Sequence, residues 1–249
     1  MLDWPRPAVI AHRGASAHAP ENTLAAFELA LQQGADALEF DVKLTGDGRV
    51  VILHDQTVDR TTDGRGDLRT FSLAALRELD AGVRFSERFR GERVPTLEEV
   101  FEAFGRRVLM NIELTNYAAP FDALVPSVVT LVRRFGLEKR VLFSSFFPHN
   151  LRRAKRLLPE VPCGLLTWAG WMGGWGRTIG FRSRLYQAVH PNLRDVDAGL
   201  VRRFQAAGRR VHVWTVNAEA DFRRMFAAGV DGVFTDDPPL ALHLLGRSG

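Results

Sequence analysis

Glu39 and Asp41 stand two residues apart inside the apolar run from Ala37 to Leu44, and Glu113 sits in a second such run, Arg107 to Leu114, with Asn111 and Thr115 at the same parity. In extended backbone, residues two apart share a face. Each run therefore turns its acids to one side and Leu38, Phe40, Val42, Met110, Ile112 and Leu114 to the other. Three carboxylates brought together raise one another's pKa unless a cation compensates. An all-carboxylate set suits one hard divalent ion, Mg²⁺ or Ca²⁺ with Mn²⁺ a further candidate, whose remaining positions take water or substrate oxygens. Structural ion pairs with arginine are the other use of the same acids. Two histidines accompany them: His12-Arg13-Gly14 ends the run Ala8 to His12, and His54 follows Val50 to Leu53. Two imidazoles beside a metal site supply a general base and a general acid near neutral pH. Arg13 adds a planar, permanently charged donor suited to a phosphoryl or carboxylate group.

These residues need a scaffold that gathers strand ends, and the rest of the chain reads as one. Short apolar runs at Ala8 to His12, Ala37 to Leu44, Val50 to Leu53, Arg107 to Leu114, Val141 to Ser144, Cys163 to Thr167, Ala188 to His190, Arg210 to Val216 and Gly232 to Thr235 read as strands. Between them lie helical periods at Asn22 to Gln33, Leu97 to Phe104, Phe121 to Phe135, Asn150 to Leu158, Ala198 to Ala207, Glu219 to Ala228 and Leu240 to Leu245. Strand followed by helix is the signature of a parallel sheet. One strand breaks the pattern: Val50 to Leu53 has no helix before it, and Thr45-Gly46-Asp47-Gly48 is a hairpin signal. Removing it leaves eight βα units, the count of an α/β (β/α)₈ TIM barrel, with active residues at the C-terminal strand ends. An open doubly wound sheet fits the local pattern too, but no Gly-x-Gly-x-x-Gly turn follows the first strand.

Hairpin geometry places His54. With Asp47-Gly48 as the two turn residues, Gly46 opposes Arg49 and His54 falls opposite Asp41; a one-residue bulge moves it to Phe40. Either register returns it to the rim with the acids. Residues 55–94 are too long for an ordinary connection and read as a subdomain inserted after the hairpin of a single 1–249 domain, with a short helix at Leu73 to Leu79. At its end Thr96 and Glu99 form a capping box for the next helix. Trp168 to Phe181 packs three Trp and five Gly into a predicted loop whose indoles want either a cover or an apolar ligand. Glu21 is placed to orient His12 or Arg13, and Asn22 to cap the first helix; His18, His149, His212 and His243 read as ordinary surface or core residues.

Composition excludes several classes. The 249 residues carry 33 Lys plus Arg against 29 Asp plus Glu, and a single cysteine, so neither a disulfide framework nor a disordered polymer fits. Thirty of the bases are arginine, interleaved with acids rather than gathered on one tail, which argues against a nucleic-acid partner. No run reaches 18 apolar residues, and MLDWPRPAVIAHRG has no basic stretch followed by an apolar one. A cytoplasmic protein without stable membrane insertion is the expectation; oligomeric state is not legible.

The ordered set His12-Arg13-Gly14, Pro20-Glu21-Asn22-Thr23, Glu39-Phe40-Asp41-Val42, Asp47-Gly48, His54-Asp55, Thr62-Asp63-Gly64, Pro95-Thr96-Leu97-Glu98, Ile112-Glu113-Leu114, Trp214-Thr215-Val216-Asn217 and Thr235-Asp236-Asp237-Pro238 resembles the bacterial glycerophosphodiester phosphodiesterase family nearly end to end. The resemblance implies metal-dependent hydrolysis of a small-molecule glycerophosphodiester to glycerol 3-phosphate and an alcohol. It assigns His12 and His54 as the acid–base pair, Glu39, Asp41 and Glu113 as metal ligands, and Arg13 as a phosphate contact, with Glu21, Thr115, Trp214 and Asn217 as further substrate-site candidates. The chain departs from the family at Thr115, where lysine is common. A threonine brings no charge to the phosphate. A related metal-dependent barrel phospholipase acting on a choline or inositol lipid, or a non-catalytic phosphodiester-binding barrel, are the alternatives.

Overall fold

In the computed structural model, which describes residues 4–247, the chain alternates strand and helix from β1 (Ala8–His12) onward. The strands that follow are β2 (Ala37–Leu44), β3 (Val50–Ile52), β4 (Leu109–Leu114), β5 (Val141–Ser145), β6 (Cys163–Thr167), β7 (Ala188–Pro191), β8 (Arg210–Val213) and β9 (Gly232–Thr235). All neighbours are parallel except β3, and β1 pairs with both β2 and β9, so eight strands close into a (β/α)₈ barrel. β3 lies outside the ring, antiparallel to the protruding end of β2 through Val42↔Ile52 and Leu44↔Val50. That register is the bulged one and sets His54 opposite Phe40. Gly48, at φ +78°, supplies the left-handed residue of the three-residue turn, while Thr45 N–H donates to Arg49 O at 3.0 Å.

The alternation along β2 and β4 holds. Leu38, Phe40, Val42, Met110, Ile112 and Leu114 pack outward into a buried cluster with helix residues such as Phe27, Val100, Phe104 and Val128. Inside the ring, Ala8, Ile10, Ala37, Leu142, Ala188 and Phe234 fill the lower barrel with Trp4, and the fully buried His190 and His212 meet there with ring centroids 5.2 Å apart. A filled interior leaves the C-terminal strand ends as the place where polar side chains meet.

The helices are α1 (Leu24–Gln32), α2 (Leu73–Leu76), α3 (Leu97–Phe104), α4 (Leu124–Phe135), α5 (Pro148–Leu157), α6 (Gly174–Thr178), α7 (Ala198–Ala206), α8 (Glu219–Ala227) and α9 (Pro238–Leu244). α3 buries Leu97, Val100, Phe101 and Phe104, and its Thr96–Glu99 capping box forms as expected. Several boundaries differ from the sequence expectation by a few residues, among them the end of α2 at Leu76 rather than Leu79, and three have a clear local cause. The cap of α1 is Thr23, whose hydroxyl accepts from Ala26 N–H, because Asn22 is left-handed at φ +59° and its amide turns to Asp41. α4 starts after Asp122, whose carboxylate accepts from Leu124 N–H, leaving Phe121 82% exposed. β8 stops at Val213, where Trp214 turns its indole to donate to His190 O at 2.8 Å.

The long excursion between β3 and α3 carries α2 and two short 3-10 turns around an apolar cluster of Val58, Leu68, Leu76, Ala81 and Val94, shared with Val51 and Leu53. The tryptophan-rich segment after β6, expected as a loop, is mostly short helical turns: Gly170–Gly173, α6 and Gly180–Arg182. No helix among the described residues is long and apolar enough to cross a membrane.

Candidate active site

Strand register brings the acids together. His12 is level with Glu39, Glu39 with Asn111, and Asp41 with Glu113, which is in turn level with Ser144. Glu39, Asp41 and Glu113 thus offer oxygens that all lie within 4.8 Å of one another. Packed this tightly, with Glu39 and Asp41 buried and Glu113 half-buried, the carboxylates oppose one another's ionisation. Burial, then Asp41 and Glu113, push Glu39 well above the usual carboxylate range, and burial with Asp41 pushes Glu113 up to about 8. Burial also opposes ionisation of Asp41, but the Arg13 guanidinium, His54 and the Asn22 amide outweigh it and hold that carboxyl low. A cluster with one ionised and two resisting carboxylates, all oxygen donors, has the charge and chemistry to hold a divalent cation.

Both histidines reach this cluster, each steadied by an acid of its own. His12 Nδ1 lies 2.6 Å from Asp236 Oδ1, and its Nε2 faces Glu39 Oε2 at 4.0 Å. Asp236 is fixed in turn by Asn217, whose amide oxygen accepts from Asp236 N–H at 2.9 Å, and by Ser16 Oγ at 3.0 Å. Against the opposing effect of burial, the bond from His12 keeps Asp236 ionised to lower pH than usual. His54 Nδ1 lies 2.6 Å from Asp55 Oδ1. A carboxylate at Nδ1 fixes the tautomer and leaves Nε2 to the pocket.

The excursion contributes through Arg60, which donates to Asp55 Oδ2 at 2.7 Å and to Glu21 Oε2 at 2.6 Å. Glu21 also accepts from Arg13 Nη1 at 2.9 Å, and Arg13 Nε lies 3.4 Å from Asp41 Oδ2. One chain of alternating charge therefore runs from His54 through Asp55, Arg60, Glu21 and Arg13 to the acid cluster. Burial opposes ionisation of Asp55, but Arg60 and His54 bring it down to about 2. Arg13 itself sits at φ +58°, where the following Gly14 lets the turn approach α1: a Cβ there would lie 2.7 Å from the Ala26 backbone.

His12, Arg13, Glu39, His54, Asn111, Glu113, Ser144, Phe146, Leu166, Trp214, Thr215 and Phe234 line one pocket of about 480 Å³ at the mouth. Its polar floor and aromatic wall suit a small polar molecule with one less polar end. Of the residues expected from sequence, Asp41 closes the cluster from within. Glu21 and Asn217 position Arg13 and Asp236 rather than line the pocket. Thr115 lies beyond the end of β4, buried, with Oγ1 donating to Val42 O at 2.8 Å and accepting from Lys43 Nζ at 2.9 Å. Lys43 shares the face of Glu39 and Asp41, so an ammonium stands beside Thr115 although position 115 has none. Asp236, Asp55, Arg60, Tyr117 and Lys43 are site residues that the sequence did not single out. Tyr117, whose hydroxyl donates to Glu113 Oε1 at 2.7 Å, is kept protonated by burial and that carboxylate. Of these five residues, Asp55 beside His54 and Asp236 in Thr235-Asp236-Asp237-Pro238 stood within motifs of the sequence, though without an assigned role, and the other three carried no local signal.

The profile of the family described as "Glycerophosphoryl diester phosphodiesterase family" matches residues 12–240. A glycerophosphodiester phosphodiesterase of Caldanaerobacter subterraneus subsp. tengcongensis is 41% identical over 97% of this chain and 98% of its own. A phosphodiesterase of Oleispira antarctica, solved in complex with the product sn-glycerol-3-phosphate, superposes with a TM-score of 0.85 at 34% identity over 97% of both chains. A glycerophosphodiester phosphodiesterase of Agrobacterium tumefaciens superposes with a TM-score of 0.79 at 30% identity over 95% of this chain and 99% of its own.

Proposed function

The chain belongs to the glycerophosphoryl diester phosphodiesterase family, and from that premise we propose that it hydrolyses glycerophosphodiesters to glycerol 3-phosphate and an alcohol at the barrel mouth, with His12 and His54 as its acid–base pair. The observation that carries the reading is the meeting, in one pocket, of two carboxylate-oriented histidines with the three-carboxylate cluster. The product bound in the Oleispira antarctica phosphodiesterase supports glycerol 3-phosphate as the product here.

Glu39, Asp41 and Glu113 would hold a divalent ion, with Mg²⁺ or Ca²⁺ the best match to an all-oxygen donor set and Mn²⁺ also accommodated, and the ion would supply charge neutralisation to the phosphate. The chain's own residues do the rest. Arg13, pinned by Glu21 and Asp41, presents its guanidinium to the phosphoryl oxygens and shares the charge that grows there. One histidine takes the proton of the attacking hydroxyl, either water or the neighbouring glycerol hydroxyl by way of a cyclic phosphate. The other gives a proton to the departing alkoxide, which is too basic to leave unaided. Asp236 and Asp55 hold each imidazole in the tautomer that points Nε2 at the substrate and stabilise the imidazolium as it forms. Phe146 and Trp214 keep water from the less polar end of the pocket. A cytoplasmic place of action belongs to the same reading, supported by a chain whose single cysteine, Cys163, is buried and unbridged. The test is release of glycerol 3-phosphate from a panel of glycerophosphodiesters by protein stripped of metal, verified by elemental analysis, and then given Mg²⁺, Ca²⁺ or Mn²⁺. Turnover that returns only with the ion is expected; full turnover in the stripped protein, or none with any ion, refutes the reading.

A further inference from the structure

Lys43 is a buried ammonium to which the reaction as described gives no task. It is 5% exposed and lies on the face of β2 that carries Glu39 and Asp41. Val42 is level with Leu114, so Lys43 and Thr115 follow side by side, and Nζ donates to Thr115 O and to Thr115 Oγ1, each at 2.9 Å. These two oxygens of one neutral residue are its hydrogen-bond partners among the described residues, where it forms no ion pair with a carboxylate. A charge buried without an ion-pair partner is costly. A neutral side chain of similar length would fill the same space without that cost.

The charges around Lys43 show what it offsets. The carboxylates whose fields reach it are Asp41, Glu113 and Asp55, and Arg13 is the opposing cation. Its side chain lines a separate cavity of about 300 Å³, with Gln56, Thr115 and Asn116, and not the reaction pocket. It therefore acts through the acid cluster rather than by touching substrate. The mouth as a whole is rich in acid: Glu21, Glu39, Asp41, Asp55, Glu113 and Asp236 are six carboxylates, against the guanidiniums of Arg13 and Arg60. A divalent ion and one imidazolium of the histidine pair still leave the positive charge one short of the acids. The substrate that must enter is itself an anion. Lys43 is the remaining cation, and a unit charge acts across several ångströms in a partly buried site. Position 115, where lysine is common in the family, supplies only the two oxygens that hold this ammonium. We propose that Lys43, anchored by Thr115, is the countercharge that lets the acid-rich mouth accept an anionic phosphodiester. It is a positioning residue, and the proposal rests on the hydrolytic reading for the identity of the anion.

The test uses the charge of the ligand. With Ca²⁺ or Mg²⁺ saturating and at about pH 8, calorimetry measures the binding of sn-glycerol 3-phosphate, a dianion, and kcat and KM are measured for glycerophosphoglycerol, a monoanion. Lys43→Gln keeps a donor for Thr115 and drops the charge. It is expected to weaken the dianion at least about tenfold and to raise KM for the monoanion about threefold, with kcat moving less than KM, because a field acts in proportion to the charge it meets. Lys43→Arg keeps the charge and is expected to bring both values back to within about twofold of the parent. Equal weakening of dianion and monoanion, a dianion affinity in Lys43→Gln within about twofold of the parent, or a Lys43→Arg variant as impaired as Lys43→Gln overturns the proposal. Lys43→Met is measured alongside, with urea unfolding to report the fold. If neither uncharged variant folds while Lys43→Arg does, the charge serves the fold and the proposal is overturned. A parent that binds sn-glycerol 3-phosphate in this Lys43-dependent way but hydrolyses no diester refutes the hydrolytic reading and leaves the role of Lys43 standing.

Discussion

Replacing Glu113 with glutamine separates the electrostatic cost of the acid cluster from its use. In the folded, metal-free protein burial and Asp41 hold the Glu113 carboxyl at about 8 against an ordinary 4.5. Its folded pKa is thus raised, so the stability it confers is fully present below pH 4.5 and is lost as pH rises toward 8, where the unfolded chain has already released the proton that the folded chain retains. At about 1.4 kcal/mol per pH unit the whole shift corresponds to about 5 kcal/mol. Glu113 edges the pocket and is only half-buried, and water reaching it reduces that to about 2 kcal/mol. Urea unfolding in chelator at pH 5, 7 and 8.5 reads this directly. The metal-free parent is expected to lose about 2 kcal/mol between the extremes, beyond the contribution of Glu39, whose raised pKa acts with the same sign. Glu113→Gln is expected to lose clearly less. Saturating Mg²⁺ or Ca²⁺ should restore the parent at pH 8.5 and leave the variant nearly unmoved, since a ligand that binds only the folded state stabilises it by mass action. A parent equally stable at pH 5 and 8.5 in chelator, or a variant with the parent's slope, would refute the argument that these carboxylates repel.

His12→Ala and His54→Ala should each lower kcat by at least about 10²-fold with the fold intact by circular dichroism, and near-parental turnover on a substrate with a poor leaving group would demote that histidine to a structural role. Arg60→Met removes the bridge between Asp55 and Glu21 without touching the pocket; kcat should fall about tenfold, with the His54-dependent limb of the pH–rate profile displaced, whereas a fall in thermal stability alone would make Arg60 a structural residue only. His212 is buried against Trp4 and His190, and burial brings its pKa down to about 4. Its folded pKa lies below the unfolded 6.5, so stability present above pH 6.5 is lost as pH falls toward 4, by about 3 kcal/mol at most. In metal-saturated protein His212→Phe should flatten that acid slope, as followed by urea unfolding at pH 4.5 and 7; an unchanged slope would exonerate the buried histidine.

Local periods make much of this protein legible in its sequence. The two-residue spacing of Glu39 and Asp41 sets them on one face wherever the strand lies, Thr96 and Glu99 close a box within one helical turn, and the βα alternation counts the barrel. Each depends on neighbours in sequence, whose relative geometry the backbone repeat fixes. The hairpin stood between two registers for the same reason, and the left-handed Gly48 selected the one that puts His54 opposite Phe40. Thr115 shows where a local period ends: strand parity carries its side chain inward only while the strand continues, and β4 stops at Leu114. The tryptophan-rich segment misled in another way, because its glycines permit loop and short helix alike. What tertiary structure alone decided are the partners that steady the reacting groups. Asp236 reaches His12 across 224 residues, Arg60 reaches Glu21 from within the excursion, and Lys43 stands beside Thr115 because β2 and β4 are neighbours in the ring. Barrel closure and strand register create those contacts, and neither is written in any window of sequence that contains only one of the two residues.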